Sequence, residues 1–170
     1  MIFTDTYEGK TVFVTGHTGF KGSWLCEWLL LLGAKVVGYA EKPPTEPSHF
    51  AQLGLGKHLA ADIRGDIRDL DKLQGAIREA KPDFVFHLAA QPIVRLAFAQ
   101  PIDTITTNTV GTVNVLDAVS REQRKAVLIM ITTDKCYENR EWRYGYREED
   151  TLGGHDPYSA SKACAEILIS

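Results

Sequence analysis

The chain is poor in cysteine, has no long apolar run and shows no excess of basic residues. Its three cysteines, Cys26, Cys136 and Cys164, are odd in number and far apart. They suit a reducing cytoplasm better than a disulfide framework, and no Cys-x-x-Cys or paired-histidine spacing suggests a metal site. The longest apolar run, Trp28 to Leu32, is too short to span a membrane. The N-terminal stretch includes Asp5 and Glu8 and lacks a basic region followed by an apolar one, so no secretory leader is expected. A net charge of −3 excludes the electrostatic footprint of a nucleic-acid binder. Neither repeats nor low-complexity tracts are present. A cytoplasmic globular chain remains, and its 170 residues suffice for one domain with a core.

What is present is an alternation of apolar β-rich runs with helical patterns. Thr11–Thr15, Lys35–Ala40, Phe84–Leu88 and Ala126–Thr132 read as buried strands, and a short one is expected near His58–Ala61. Phe20–Leu32 reads as a helix closed by Gly33, and Asp69–Ala80 as one capped by Asp69 with Pro82 beyond its end. Long and final helices are expected over Pro101–Ser120 and Pro157–Ser170, and Glu41–Ser48, with Pro43, Pro44 and Pro47, must be a loop. Strands apolar on both faces and alternating with helices imply an α/β fold, a doubly wound parallel sheet. Five strands, and a helix pattern still running at Ser170, read as the N-terminal portion of a longer protein, with residues 1–170 an incomplete dinucleotide-binding domain. The charged, aromatic segment from Tyr137 to His155 reads as a long loop, either functional or a packed surface excursion.

The first strand runs into Gly16-His17-Thr18-Gly19-Phe20-Lys21-Gly22, and a helix follows. Glycines at these spacings let the backbone turn tightly and approach a pyrophosphate, while the helix N-terminus supplies N–H groups and a positive dipole end. The acid that usually binds the adenosine ribose is represented by Glu41, one residue late, and an exposed loop charge would read the same. No arginine follows the second strand to take a 2′-phosphate, which favours NAD over NADP. Asp66 and Ile67 follow the third strand and could meet the adenine, or Asp66 could begin a turn. Leu88, Ala89, Ala90 and Gln91 end the fourth strand, where small residues let a cofactor pass, or simply pack. His17 and His87 fit packing or hydrogen-bonding roles better than catalytic ones.

Tyr158 and Lys162 stand four residues apart, after Asp156-Pro157, and so share one helix face. A neighbouring ammonium favours the phenolate form of a tyrosine, which suits Tyr158 to accept a proton. A surface tyrosine beside a solvated lysine would look the same. Thr132, Thr133, Asp134 and Lys135 end the fifth strand, on the side of the sheet where ligands bind. A hydroxyl, a carboxyl and an amine there, together with a phenol–ammonium pair, make a set rich in proton-transfer groups.

With these pieces together, the chain resembles the extended short-chain dehydrogenase/reductase family over essentially all 170 residues. Thr15 to Gly22, Gly65-Asp66-Ile67, His87-Leu88-Ala89-Ala90, Asn108 to Thr112 and Tyr158-x-x-x-Lys162 carry the likeness. A narrower likeness, on Gly16 to Leu25, Thr133 to Asn139 and Gly145 to Ser159, is to the nucleotide-sugar 4,6-dehydratases of the group that acts on CDP-glucose. The resemblance implies a Rossmann-like fold and a tightly held NAD bound by residues 16–22, Asp66, Ile67, residues 88–91, Thr132, Tyr158 and Lys162. It implies Tyr158 as the base at sugar C4, Lys162 as its partner, Thr133 on the 4-oxygen, Asp134 as general acid and Lys135 as the base at C5. A lysine acts as a base only when neutral, so burial or a cationic neighbour is expected around Lys135. The resemblance also implies a nucleotide-sugar substrate and a homodimer formed through the helix after Asn108 and the helix of Tyr158.

Overall fold

Residues 5–122 and 125–170 are described in the computed structural model of the chain; the first four residues, part of the stretch read for a leader, lie outside that description. Val12, Phe13 and Val14 are wholly buried, as a strand covered on both faces requires. They belong to β1 (Thr11–Thr15), which is flanked by β2 (Lys35–Ala40) and β4 (Phe84–His87); β3 (Ala61–Arg64) and β5 (Val127–Met130) lie beyond. All pairs are parallel, in the order β3-β2-β1-β4-β5, which is the doubly wound arrangement. Along β1 the side chains alternate: Phe13 joins one core cluster with Tyr39, Leu73 and Val85, while Val12 and Val14 join another with Leu29, Val36 and Leu55.

The third strand begins three residues later than its apolar lead-in suggested. Leu55–Lys57 forms a 3₁₀ turn, and the strand that follows alternates half-buried Ala61 and Ile63 with exposed Asp62 and Arg64. It is the edge of the sheet, so it needs only one apolar face, and a search for continuous apolar runs passes over it.

The helices end where local chemistry stops them. α1 (Phe20–Leu31) closes on Leu32, with Gly33 at φ 80. Before β3 comes the short α2 (His49–Gln52), not anticipated from the sequence, whose cap Ser48 accepts from the Ala51 amide at 3.1 Å. Asp69 caps α3 (Leu70–Ala80) through the Lys72 amide, and Lys81 ends it in the left-handed conformation ahead of Pro82. α4 (Val94–Ala99) was also missed. The long helix expected over Pro101–Ser120 is three pieces: α5 (Pro101–Ile105), a π-turn (Thr106–Val110) and α6 (Gly111–Ser120). Thr104, Thr106 and Thr112 each donate to a carbonyl four residues back, which loosens the ladder around the inserted turn. The chain ends in α7 (Pro157–Ile169).

By contacts the chain divides into two compact units. The first comprises residues 1–89 and 114–131 and holds the whole sheet; the second comprises residues 90–113 and 132–170. Among the described residues no helix is long and apolar enough to cross a membrane.

Candidate functional site

In the first unit the glycine turn is shaped by backbone contacts. Gly16 sits at φ 73, and a Cβ there would stand 2.7 Å from the Ala89 amide nitrogen. At Gly22 a Cβ would fall 2.1 Å from the Gly16 carbonyl oxygen. The turn thus closes on itself and against the end of β4, which leaves no room for side chains at either position. Thr15 Oγ1 accepts from the amides of Leu88 (3.1 Å) and Ala89 (3.2 Å) and lies 2.8 Å from His87 Nδ1. His87 is accordingly a hydrogen-bonding residue of the strand ends. α2, α3 and α7 are capped by the side chains of Ser48, Asp69 and Asp156, but α1, like the short α4 and α5, begins with no side-chain cap. A helix N-terminus without a side-chain acceptor, reached through glycines too crowded for a Cβ, fits a phosphate group.

His17 is fully buried. Its ring fills the space over Gly38, where a Cβ would come within 2.5 Å, and its Nε2 donates to Asp62 Oδ1 at 2.9 Å. Burial pulls its pKa below the ordinary value despite the Asp62 carboxylate. Thr18 Oγ1 donates to the Glu41 carbonyl at 3.1 Å, while Phe20 and Lys21 are exposed. An arginine does reach the end of β2, contrary to the sequence reading. Arg64 arrives from the edge strand and donates to the same Glu41 carbonyl at 3.1 Å. Asp62 answers its charge at 2.7 Å, and its guanidinium lies over the Phe50 ring.

Asp66 is engaged by Arg68, whose backbone amide and guanidinium both donate to it. Burial alone would raise its pKa, but these hydrogen bonds hold it below the usual carboxylate range. Ile67 is 4% exposed and sits in the core, so its side chain has little surface left for an adenine ring.

The second unit is held by side chains instead. Asp156 caps α7, accepting from the Ser159 amide at 3.0 Å, and Pro157 occupies the first turn. Tyr158 and Lys162 follow on one helix face, 9% and 5% exposed. Thr133 caps a 3₁₀ turn over Asp134–Cys136 that packs on α7; its hydroxyl donates to Asp134 Oδ1 at 3.2 Å and accepts from the Lys135 amide at 3.4 Å. Glu166, two turns beyond Tyr158, accepts from Thr132 Oγ1 and from Cys136 Sγ. The unit therefore brings together Thr132, Thr133, Asp134, Lys135, Tyr158 and Lys162, with Ala90 and Gln91 also in it. Lys135 itself is exposed, not buried as its expected role asked. Its charge joins the Ser159 hydrogen bonds in holding Asp156 below the usual carboxylate range, against the effect of burial.

The sequence reading missed the network beneath this helix. Asn108, at the centre of the π-turn, is 1% exposed. Its Oδ1 accepts from the Gln91 amide (2.8 Å), while its Nδ2 donates to the Gln91 carbonyl (3.1 Å) and to Ser161 Oγ (2.9 Å). Ser161 Oγ in turn donates to the Tyr158 carbonyl at 2.6 Å, and Thr109 donates to the Ser161 carbonyl. Gln91, expected near the cofactor, spends its side chain on Thr104 and the Ile93 amide. The signal available was the polar run Thr106-Thr107-Asn108-Thr109 in the middle of the helix pattern.

The chain matches known proteins along most of its length. The protein family described as GDP-mannose 4,6 dehydratase matches residues 13–170. Over all 170 residues the chain is 54% identical to CDP-glucose 4,6-dehydratase of Salmonella typhimurium, of which it covers 47%. It is 30% identical to CDP-paratose 2-epimerase of Salmonella typhi, with 91% of the chain and 50% of that protein matched. The chain spans about half the length of these curated relatives. Among solved structures, UDP-glucose 4-epimerase of Thermus thermophilus in complex with NAD superposes with a TM-score of 0.78 at 28% identity, over 94% of the chain and 49% of that protein.

Proposed function

Because the chain belongs to the GDP-mannose 4,6-dehydratase family, we propose that it supplies the cofactor cradle and proton-transfer groups of a 4,6-dehydratase that converts CDP-glucose to CDP-4-keto-6-deoxyglucose with tightly held NAD. The observation that carries this reading is the second unit's assembly. Buried Tyr158 and Lys162 share one face of α7, and the turn bearing Thr133, Asp134 and Lys135 packs on the same helix. The 54% identity to a CDP-glucose 4,6-dehydratase supports the substrate.

NAD, when bound, supplies the hydride acceptor for oxidation at sugar C4 and the hydride returned at C6. Residues 16–22 and the uncapped start of α1 would hold its pyrophosphate, with Asp66, Leu88, Ala89, Ala90 and Thr132 around it; Ile67 and Gln91, whose side chains are taken by the core and by Thr104 and the Ile93 amide, would offer backbone only. Tyr158 takes the proton of the 4-hydroxyl. Lys162 stabilises the phenolate and holds the cofactor ribose, and Thr133 hydrogen-bonds the 4-oxygen. A ketone at C4 acidifies the C5 proton, which Lys135 would remove as the neutral amine, a state its exposed side chain reaches only if bound substrate desolvates it. Asp134 protonates the departing 6-hydroxyl, which leaves as water, and Lys135 returns a proton to C5 as C6 is reduced. The exposed Ile102, Ile105, Val110 and Val113 along the helix, with Ile167 and Leu168 on α7, support a homodimer contact there.

Incubation with CDP-, UDP- and dTDP-glucose, read by the alkaline absorbance of a 4-keto product, tests the reading. Product from CDP-glucose above the other two is expected. Epimerised sugar with no 4-keto product would move the assignment to an epimerase.

A further inference from the structure

Glu166 is a charged residue that the proposed chemistry leaves unused. It stands four residues after Lys162 and eight after Tyr158, so the three side chains follow one stripe of α7. The residue is half-buried, and a carboxylate drawn out of water needs donors. Its two donors converge on one oxygen. Oε1 accepts from Thr132 Oγ1 and lies 4.0 Å from Cys136 Sγ, a long contact of the kind sulfur makes. Thr132 and Cys136 bracket Thr133, Asp134 and Lys135. Asp134 and Lys135 themselves stand exposed, so packing of their own side chains does little to place them. Their positions follow from how the ends of the run are tied. The Cys136 carbonyl accepts from the Gly153 amide at 2.8 Å, which ties the run to the loop before α7. Glu166 ties both ends to α7 itself.

We propose, resting on the dehydratase reading above, that Glu166 is a positioning residue: one carboxylate oxygen holds the run from Thr132 to Cys136 in register with Tyr158 and Lys162. On that reading, oxidation at C4 depends chiefly on Tyr158 and Lys162, which α7 carries directly. Loss of water across C5 and C6 depends on Asp134 and Lys135, which the clamped run carries. Loosening the clamp should therefore harm the second step more than the first. A misplacement of about 1 Å is enough to cost a reacting pair much of its rate.

Glu166→Ala and Glu166→Gln test this, since glutamine keeps an acceptor oxygen and loses the charge. The Cys136 thiol reports on the clamp without substrate. It is buried, and burial first, then the Glu166 charge, with weaker help from Asp134 and Glu148, push it above its ordinary pKa. Alkylation by iodoacetamide, resolved at Cys136 by peptide mass spectrometry, should be roughly ten-fold or more faster in Glu166→Ala, which loses hydrogen bonds to a charged group. In Glu166→Gln the rate should begin to rise at lower pH, because the carboxylate that opposes the thiolate is gone. With NAD and CDP-glucose, Glu166→Ala should build up reduced cofactor while 4-keto product falls, and Glu166→Gln should restore product. Alkylation of Cys136 at the parent's rate in Glu166→Ala overturns the proposal. So does an equal loss of cofactor reduction and product, which would mark a general loss of structure. A parent that makes no 4-keto product strikes at the dehydratase reading instead, and the clamp still stands or falls on alkylation. If Glu166→Ala does not fold, Thr132→Val, which removes the donor at the other end of the run, carries the same alkylation test.

Discussion

The first unit shapes its candidate cradle with backbone, whereas the second holds its candidate acid–base groups with buried side chains. Gly16 and Gly22 matter for what they lack: a single added carbon would meet the Ala89 amide or the Gly16 carbonyl. Asn108, Ser161 and Gln91 matter for what they carry, since each buried polar group meets another. The two designs should fail differently. A cradle made by close approach fails sterically, through a strained backbone and with it lost ligand. A polar network fails by desolvation, through lost stability.

Four measurements can break or sharpen that contrast. The largest effect is expected from Tyr158→Phe, which removes the proposed base while keeping the ring. Turnover should fall by about 10²–10⁴-fold with NAD binding and thermal stability unchanged; a loss of folding instead would make Tyr158 part of the structural network. Next is Gly22→Ala. Overpacking costs about 1–3 kcal/mol, which as lost affinity is roughly 10–100-fold. Calorimetric titration with NAD should show it together with a lowered urea midpoint, since the added carbon meets the protein's own backbone, and unaltered affinity would detach the turn from the cofactor.

Asn108→Ala should lose stability by desolvation rather than by overpacking. It strands the Gln91 amide and carbonyl and costs about 1–3 kcal/mol per unsatisfied group, read by urea denaturation. A midpoint equal to the parent's would remove the network from the account. The smallest effect belongs to Asp156→Ala, a lost helix cap worth about 1 kcal/mol at neutral pH. Asp156 has its folded pKa below the ordinary 3.8. Its contribution is therefore fully present above that value and is lost as pH falls through the folded pKa. The parent and variant midpoints should converge in acid, and a gap that stays constant down to pH 2 would assign the effect to something other than this carboxylate.

Much of the fold was legible because its signals are local. The β1, β2 and β4 runs are apolar on both faces, and Asp69, Gly33 and Asp156-Pro157 mark helix ends through chemistry confined to a few residues. β3 was expected but placed three residues early, because an edge strand buries one face only and its Asp62 and Arg64 disguise its true extent. The π-turn escaped because its central Asn108 pairs with a residue outside the helix, Gln91, seventeen positions away. Arg64 was overlooked for the same reason: it belongs to β3 but reaches Glu41, at the end of β2.

The sequence by itself determined the glycine turn, the Tyr158–Lys162 spacing and the run from Thr132 to Lys135. Those depend on residue type and interval along one strand end or one helix face, which short-range geometry dictates. Only the tertiary structure decided which side chains hold these groups in place: Thr15 on the end of β4, Arg64 and Asp62 beside His17, Asn108 and Ser161 under α7. Such contacts join residues distant in the chain, and burial, which makes each unpaired polar atom costly, exists only once the chain has folded.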